Sequence, residues 1–189
     1  MHWVGRHAFE PVWQPRRRLL GKALPAVAAQ WLFDPSSLTR RVCDACSGAF
    51  RVDVLSQRWG RPMLNEARRL GMAERSTALI RQVHLLCDEV PWVFARTVMP
   101  RRTLSGPRRY LTQLGTRPLG AVLFADPSMR RDEVEVACIR PGQYAFDLAT
   151  NRLAVAPPCI WGRRSVFFLD EEPLLVSEIF LPALVACGD

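Results

Sequence analysis

The sequence has little lysine and histidine, and it contains no long apolar run. Lys22 is the only lysine among 26 basic Lys and Arg residues, and there are three histidines. No apolar segment approaches the ~20 residues that a membrane-spanning helix needs. Charged residues interrupt the first 20 positions, where a secretion signal requires a continuous apolar stretch. These absences predict a cytoplasmic protein without stable membrane insertion.

Cysteine is also sparse, with six residues scattered over the 189 positions. That distribution lacks the density and regular spacing of a disulfide scaffold, so we expect reduced thiols. Cys43 and Cys46 form one CxxC motif. A structural zinc site usually needs a second ligand pair at suitable spacing, and the histidines do not supply it. We therefore expect no bound metal.

Arginine supplies nearly all of the formal net charge of +8. This composition is compatible with nucleic-acid binding through phosphate contacts, with a small anionic ligand, or with an arginine-rich solvated surface. The runs at Arg16–Arg18 and Arg68–Arg69 lack interleaved aromatics or glycine-rich repeats. We therefore interpret them as surface and predict no nucleic-acid partner.

The pattern of elements predicts a single α+β domain with a largely antiparallel sheet. The length and a hydrophobic content of 49% fit one packed core. Two pairs of β-rich runs around short polar turns predict hairpins, TALIRQVHLLC with WVFARTVMP and WGRRSVFFL with PLLVSEIFLP. Helical patterns lie between the strands at residues 23–32, from Leu38 onward, and at 108–115 and 117–124.

Two segments fit this pattern less well. Residues 1–20, with two prolines and three consecutive arginines, predict an extended, partly mobile lead-in to a domain over residues 21–189. Residues 140–158 show no clear periodic pattern, and we interpret them as either an inserted hairpin or an irregular excursion.

Two charged side chains fall on apolar strand faces. Alternation places Arg81 on one face with Leu79 and Val83, while Glu178 has apolar neighbours on both faces of its strand. Burial of an unpaired ion costs several kcal/mol in effective terms, on the order given for relaxed protein interiors. Either the two residues form a buried ion pair across the sheet, or both point into a pocket whose ligand completes their hydrogen bonds. Spacing alone does not choose between these alternatives.

Several motifs, taken together, resemble the chorismate lyase (chorismate pyruvate-lyase) family of ubiquinone biosynthesis. They recur in family order as QWLFDPSSLTRR, RTV-x-P, TLSGP, LG-x-x-PLG-x-x-LF, WGRRS and a terminal E-x-FLP, and they cover most of the chain between Trp31 and Pro182. The resemblance implies an enzyme that eliminates pyruvate from chorismate to give 4-hydroxybenzoate. It also implies an antiparallel sheet whose helices cover a buried ligand pocket, with no metal or organic cofactor, and we expect a monomer.

The resemblance also implies site residues. The ligand-contacting arginine and glutamate of the family correspond to Arg81 and Glu178, to which we assign the catalytic roles of holding the ring carboxylate and contacting the hydroxyl end. Leu38 and Leu119 correspond to apolar residues that contact the ligand. Relatives often have methionine where Leu38 stands.

Other charged residues are secondary candidates. Arg96, Arg163 and Arg164 could bind the second carboxylate of chorismate, although for Arg164 we favour surface charge at a hairpin end. His84 faces away from Arg81 by strand alternation and is expected to be structural or exposed rather than a catalytic base.

A second class of function is compatible with the fold that the resemblance implies. A similar fold serves as the effector-sensing domain of some transcription regulators, so the chain could be a non-catalytic module that binds small aromatic acids. It has no credible N-terminal helix-turn-helix, because the lead-in is short and broken by prolines. We therefore favour the lyase.

Overall fold

The computed structural model describes residues 10–19 and 24–186. Within these residues eight strands form one antiparallel sheet, which confirms the predicted α+β class. The order across the sheet is β1-β6-β7-β8-β4-β3-β2, and β5 pairs with β7. The strands are β1 (Gln14–Pro15), β2 (Phe50–Gly60), β3 (Ala78–Cys87), β4 (Val90–Pro100), β5 (Arg130–Arg131), β6 (Glu135–Ile139), β7 (Ile160–Leu169) and β8 (Glu172–Phe180).

Both predicted hairpins are confirmed, and they lie side by side at the centre of the sheet. β3 pairs with β4 and β7 pairs with β8, while β4 and β8 pair with each other. Each hairpin turns through an acidic pair with positive φ, Asp88 and Glu89 in one and Asp170 and Glu171 in the other. Two consecutive positive φ angles match the right-handed twist of the flanking strands.

Helices pack on both faces of the sheet. Three of the predicted helices are confirmed, as α1 (Ala26–Leu32), α2 (Leu38–Ala45) and α4 (Leu119–Ala125), whereas the segment predicted as a helix over 108–115 is a 3-10 segment over Gly106–Gln113. Further 3-10 turns cover Arg16–Arg18 and Arg101–Leu104. The helices are α1 (Ala26–Leu32), α2 (Leu38–Ala45), α3 (Leu64–Arg69), α4 (Leu119–Ala125), α5 (Tyr144–Thr150) and α6 (Pro182–Ala186).

The hydrophobic core is divided by the sheet. On one face Trp31, Leu38 and Val42 of α1 and α2 pack with Val83 and Leu85 of β3. On the same face Leu123 of α4 joins a neighbouring cluster that includes Val176 of β8. The opposite face buries Phe94 and Ile179. Successive residues of β3, β4 and β8 thus serve two separate cores, as strand alternation requires.

The segment at residues 140–158 contains a helix, so the expectation of a hairpin or an irregular excursion is wrong. Ala145, Phe146 and Ala149 of α5 are buried against Phe94 and Ile179 on the face opposite α2 and α4. Spacings of three and four residues place these side chains on one helical face. The apolar stripe is short and bounded by polar residues, which is why the sequence pattern did not reveal it.

The expectation that all cysteines are reduced is also wrong. Cys46, the residue that directly follows α2, forms a disulfide with Cys87 at the end of β3, with a Cα–Cα distance of 5.7 Å. Cys43, Cys138 and Cys159 are free thiols. Cys46 and Cys87 are 41 residues apart in sequence, so only the packing of α2 on the sheet brings them together.

Part of the predicted lead-in is described and belongs to the sheet. β1 pairs with β6, and the Glu10 carboxylate accepts hydrogen bonds from the backbone N–H groups of Leu64 and Asn65 at the start of α3. Residues 1–9 and 20 of the lead-in lie outside the described residues. None of the described helices is long and apolar enough to cross a membrane.

Candidate active site

A small cavity lies between the sheet and the two helices α2 and α4, which we call the lid helices. Its volume is about 50 Å³, well below the roughly 300 Å³ or more of typical small-molecule sites. The lid helices therefore leave little free space above the sheet, and a ligand larger than this volume requires the cavity to widen. The lining residues are Ser36, Leu38, Thr39, Val52, Arg81, Val83, Leu85, Ala95, Thr97, Pro118, Leu119, Gly120, Leu123, Phe124, Arg131, Arg163, Phe167, Val176 and Glu178.

Local sequence fixes where each lid helix begins. Asp34 accepts a hydrogen bond from the Ser36 N–H at 2.6 Å and one from Arg41 at 2.5 Å, which holds the turn before α2. Pro118 immediately precedes α4. The two helices touch at Gly120, where a Cβ atom would lie 3.1 Å from Thr39 Oγ1. Glycine at this position allows the lid helices to close against each other.

Arg81 enters the cavity from β3 and is only 3% exposed. Its Nη1 donates to Gln57 Oε1 at 3.0 Å, and its Nη2 donates to the Arg117 carbonyl at 3.4 Å. It has no carboxylate partner among the described residues, and burial lowers its pKa. The guanidinium therefore retains the capacity to bind an anion.

Glu178 enters the same cavity from β8, but its partner is Arg163 rather than Arg81. Arg163 Nε donates to Glu178 Oε2 at 2.6 Å. Arg163 Nη1 also donates to the carbonyls of Trp31 at 2.9 Å and Asp34 at 2.6 Å. The direct Arg81–Glu178 ion pair considered from sequence is not formed. Glu178 Oε1 accepts no hydrogen bond from the described residues and can accept one from a ligand.

The sheet register sets the distance between the two ends of the site. Arg81 lies opposite Thr97 of β4, whereas Glu178 lies opposite Ala95, two residues further along the same strand. Arg81 and Glu178 are thus two strands apart on one face, which corresponds to about 10 Å across the sheet. The space between them is bounded by apolar side chains, including the sequence-predicted residues Leu38 and Leu119.

Arg131 also lines the cavity, and sequence reasoning missed it. Its Nε donates to Ser165 Oγ at 3.0 Å and its Nη1 donates to the Pro35 carbonyl at 3.3 Å. Burial lowers the pKa of Arg131, and neighbouring Arg163 lowers it further. Its sequence context, an Arg-Arg pair near a turn, resembles an ordinary surface run. Only the pairing of β5 with β7 turns Arg131 towards the cavity.

The remaining arginine candidates lie outside the cavity. Arg96 is 4% exposed and makes two hydrogen bonds to Glu66, at 2.7 and 3.0 Å. Arg164 is 6% exposed and pairs with Glu135 at 2.8 Å, so its prediction as surface charge is wrong. Arg96 is adjacent in sequence to Thr97, and Arg164 is adjacent to Arg163; Thr97 and Arg163 face the cavity. Strand alternation therefore turns Arg96 and Arg164 to the other face of the sheet.

His84 lies on the face opposite Arg81, as predicted. It is fully buried with its ring 5.7 Å from that of Phe94. Burial lowers the pKa of the imidazole, which favours the neutral form. His84 is therefore part of the second core, remote from the cavity.

Solved structures with the same fold include domains of transcription regulators. The C-terminal domain of the histidine utilization repressor from Pseudomonas syringae superposes with a TM-score of 0.55 at 14% identity, covering 71% of this chain and 93% of that one. The ligand-binding domain of a GntR-family regulator from Bordetella bronchiseptica has a TM-score of 0.51 at 15% identity, with 72% and 86% covered. At these identities the likeness concerns the fold alone.

Sequence comparison gives a closer relationship. A probable chorismate pyruvate-lyase from Azoarcus sp. is 45% identical over 84% of this chain and 86% of its own length. One from Aromatoleum aromaticum is 43% identical over 86% and 88%, and one from Pseudomonas fluorescens is 39% identical over 92% and 89%. The profile of the chorismate lyase family matches residues 10–186. The chain therefore belongs to the chorismate lyase family.

Proposed function

We propose that this protein is a chorismate pyruvate-lyase, which converts chorismate to 4-hydroxybenzoate and pyruvate in the cavity beneath the lid helices. The observation that carries the proposal is the placement of Arg81 and Glu178 at two ends of an apolar cavity. Arg81 lacks a carboxylate partner among the described residues, and Glu178 has one free oxygen. A flat ring with a carboxylate at one end and a hydroxyl at the other complements this arrangement.

Arg81 binds the ring carboxylate in this proposal. A guanidinium donates two parallel hydrogen bonds to a carboxylate, and such bonds are stronger when both groups are charged. Gln57 and the Arg117 carbonyl hold the guanidinium in place. Leu119 begins α4, where backbone N–H groups lack intrahelical partners. Its N–H can donate to the same carboxylate, while its side chain lies against the ring.

Glu178 binds the ring hydroxyl through Oε1. Oε2 accepts the hydrogen bond from Arg163, and the oxygens of a carboxylate act as hydrogen-bond acceptors. This hydrogen bond places Oε1 beside the ring carbon that carries the hydroxyl, which is the carbon that loses its hydrogen. Glu178 therefore orients the substrate and assists the loss of the ring proton.

The reaction itself needs no oxidant or reductant. The ring C–H proton passes to Glu178 Oε1, the C–H electron pair forms the new ring double bond, and the ether C–O bond breaks with its electron pair going to oxygen. The released enolpyruvate takes a proton from solvent on its methylene carbon to become pyruvate, and Glu178 returns its proton to solvent. Formation of the aromatic ring makes the elimination favourable. Positioning and exclusion of water by Leu38, Leu119 and the lid helices are the main contributions of the protein, and we propose that it acts without a cofactor.

Direct assay tests this proposal. Purified protein mixed with chorismate in buffer containing a metal chelator is expected to form 4-hydroxybenzoate and pyruvate in equal amounts, measured by chromatography. The non-catalytic alternative predicts binding of 4-hydroxybenzoate, measured by calorimetry, without turnover of chorismate. Formation of neither product would refute the lyase.

A further inference from the structure

The charges that line the cavity do not balance. Its ionisable side chains are Arg81, Arg131, Arg163 and Glu178. Arg163 and Glu178 form an ion pair, whereas neither Arg81 nor Arg131 forms an ion pair with a carboxylate among the described residues. Arg81 is buried and Arg131 is half-buried, and desolvation of a cation is costly unless a well-placed opposite charge offsets it. Arg131 has only the longer-range attraction of Glu178 and Asp34. The cavity therefore favours a ligand that carries two negative charges.

The two unpaired cations lie at separate ends of the cavity. Arg81 belongs to β3, and Arg131 belongs to β5, which pairs with β7 on the far side of β8 and β4. Arg131 is held by Ser165 Oγ and the Pro35 carbonyl, and its guanidinium lies 5.2 Å from the centre of the Phe167 ring. These contacts use Nε and Nη1. Nη2 donates to no described residue and remains available for a ligand.

The turn that begins the α2 lid helix brings hydroxyl groups to the Arg131 end. Ser36 and Thr39 both line the cavity. The Ser36 hydroxyl interacts with the Asp34 carboxylate, whereas the Thr39 hydroxyl makes no hydrogen bond among the described residues. Because Pro35 directly precedes Ser36 and accepts from Arg131, the guanidinium is linked to this turn. A carboxylate placed here can be bound by Arg131 and by hydroxyl groups of the closed lid.

We propose that Arg131, with the hydroxyls of Ser36 and Thr39, forms a second carboxylate subsite that binds the carboxylate of the enolpyruvyl side chain. This inference rests on the proposed function and extends it. Chorismate carries two carboxylates and engages both subsites. The aromatic product carries one carboxylate, which engages the Arg81 subsite and leaves the Arg131 subsite without a ligand. Once the side chain leaves as pyruvate, the Arg131 subsite releases its ligand and the lid helices lose that contact.

Comparison of substrate and product binding tests the subsite. Arg131→Gln is expected to lower kcat/KM for chorismate by roughly 10- to 150-fold, the range for loss of hydrogen bonds to a charged group. It should change the dissociation constant for 4-hydroxybenzoate by less than about 3-fold. Arg81→Gln, by contrast, should weaken both ligands. Arg130→Gln, a change at the exposed neighbour on the same strand, is the matched control and should leave both values unchanged.

The proposal is overturned if Arg131→Gln weakens 4-hydroxybenzoate as much as chorismate, or affects neither. Thermal melting of each variant checks folding, and Thr39→Val provides a milder second test with a several-fold loss for chorismate only. If the wild-type protein binds both ligands without turnover, the proposed lyase activity is refuted, but the proposed second carboxylate subsite can still be tested by binding. In that case calorimetry compares chorismate affinity between wild type and Arg131→Gln.

Discussion

Single residues in this protein take their roles from the partner that the sheet gives them. Glu178 has apolar neighbours along its own strand, and β7 supplies Arg163 beside it. Arg81 receives no such partner, and Arg117 and Gln57 contribute only neutral acceptors. This difference leaves Arg81 able to bind an anion and leaves Glu178 Oε1 able to accept a hydrogen bond from a ligand. Strand pairing thus determines which charge is structural and which is available to a ligand.

Replacement of Glu178 by Gln tests the hydroxyl end. The amide keeps the shape but removes the negative charge, which leaves Arg163 unpaired and weakens assistance to proton loss. We expect kcat to fall by on the order of 100-fold or more, within the range for positioned acid–base groups. Steady-state assays with chorismate measure it. Glu74→Gln at an exposed ion pair is the control, and wild-type turnover by Glu178→Gln would contradict the assignment.

Gly162 of the WGRRS motif gives a second test at this scale. A Cβ atom there would lie 3.1 Å from the Glu178 carbonyl oxygen and 3.2 Å from Ile179 Cγ1. Gly162→Ala should therefore displace the β8 backbone at Glu178, lowering both the melting temperature and kcat. Gly115→Ala, at a position with no atoms within 4 Å of the added carbon, should lower the melting temperature through its positive φ without a matching loss of kcat. Equal losses of kcat in Gly162→Ala and Gly115→Ala would argue against the close contact between Gly162 and the β8 backbone.

At the scale of elements, the lid helices and α5 have different tasks on opposite faces of the sheet. α2 and α4 line the cavity, whereas α5 buries Phe146 against the second core. The disulfide between Cys46 and Cys87 fixes the end of α2 to β3, the strand that carries Arg81. The segment at residues 140–158 is therefore expected to contribute to stability more than to ligand binding.

Phe146→Ala tests the role of α5. Removal of a large buried aromatic side chain from a core costs about 3–5 kcal/mol of unfolding free energy. We expect a loss of that size in denaturant unfolding, with unchanged affinity for 4-hydroxybenzoate in the folded protein. Tyr144→Ala, on the exposed side of the same helix, should have little effect on either quantity. A selective loss of ligand affinity would assign α5 to the site instead.

Reduction of the Cys46–Cys87 disulfide tests the anchor of α2. The bond closes a loop between residues 41 apart in sequence, for which chain entropy gives about 4 kcal/mol of stabilisation. Cys46→Ser and treatment with a dithiol reductant should lower the melting temperature similarly and not additively. Cys159→Ser, at a free thiol, is the control. An unchanged melting temperature under reduction would mean that the disulfide does not stabilise the protein in solution.

The whole molecule is strongly basic, yet much of its arginine is committed to internal or surface ion pairs. Arg69 bridges Asp132 and Glu135, Arg152 pairs with Asp53, and Arg96 is buried with Glu66. Such pairs reduce the field available to a polyanion. Monomeric state, absence of a nucleic-acid partner and cytoplasmic location remain predictions from the sequence.

Salt-dependent binding tests the prediction about nucleic acid. Phosphate contacts would give an affinity that falls steeply as salt rises. By fluorescence anisotropy, we expect no measurable binding of labelled DNA or RNA at ~150 mM salt. At this ionic strength the Debye screening length is about 8 Å. Sequence-selective binding at that salt would require a second function.

Size-exclusion chromatography of the same sample is expected to give a monomer of 21.4 kDa.

The amino-acid sequence by itself determined the fold class, both central hairpins and the presence of two charges, Arg81 and Glu178, on apolar strand faces, because strand alternation makes a lone ion on an apolar face conspicuous. Helix α5 and the disulfide escaped prediction, since a short apolar stripe and a distant cysteine pair carry little local signal. Only the tertiary structure decided that Glu178 pairs with Arg163, that Arg81 stays unpaired and that Arg131 joins the cavity. These outcomes depend on strand order and register, which bring together residues that sequence separation keeps apart.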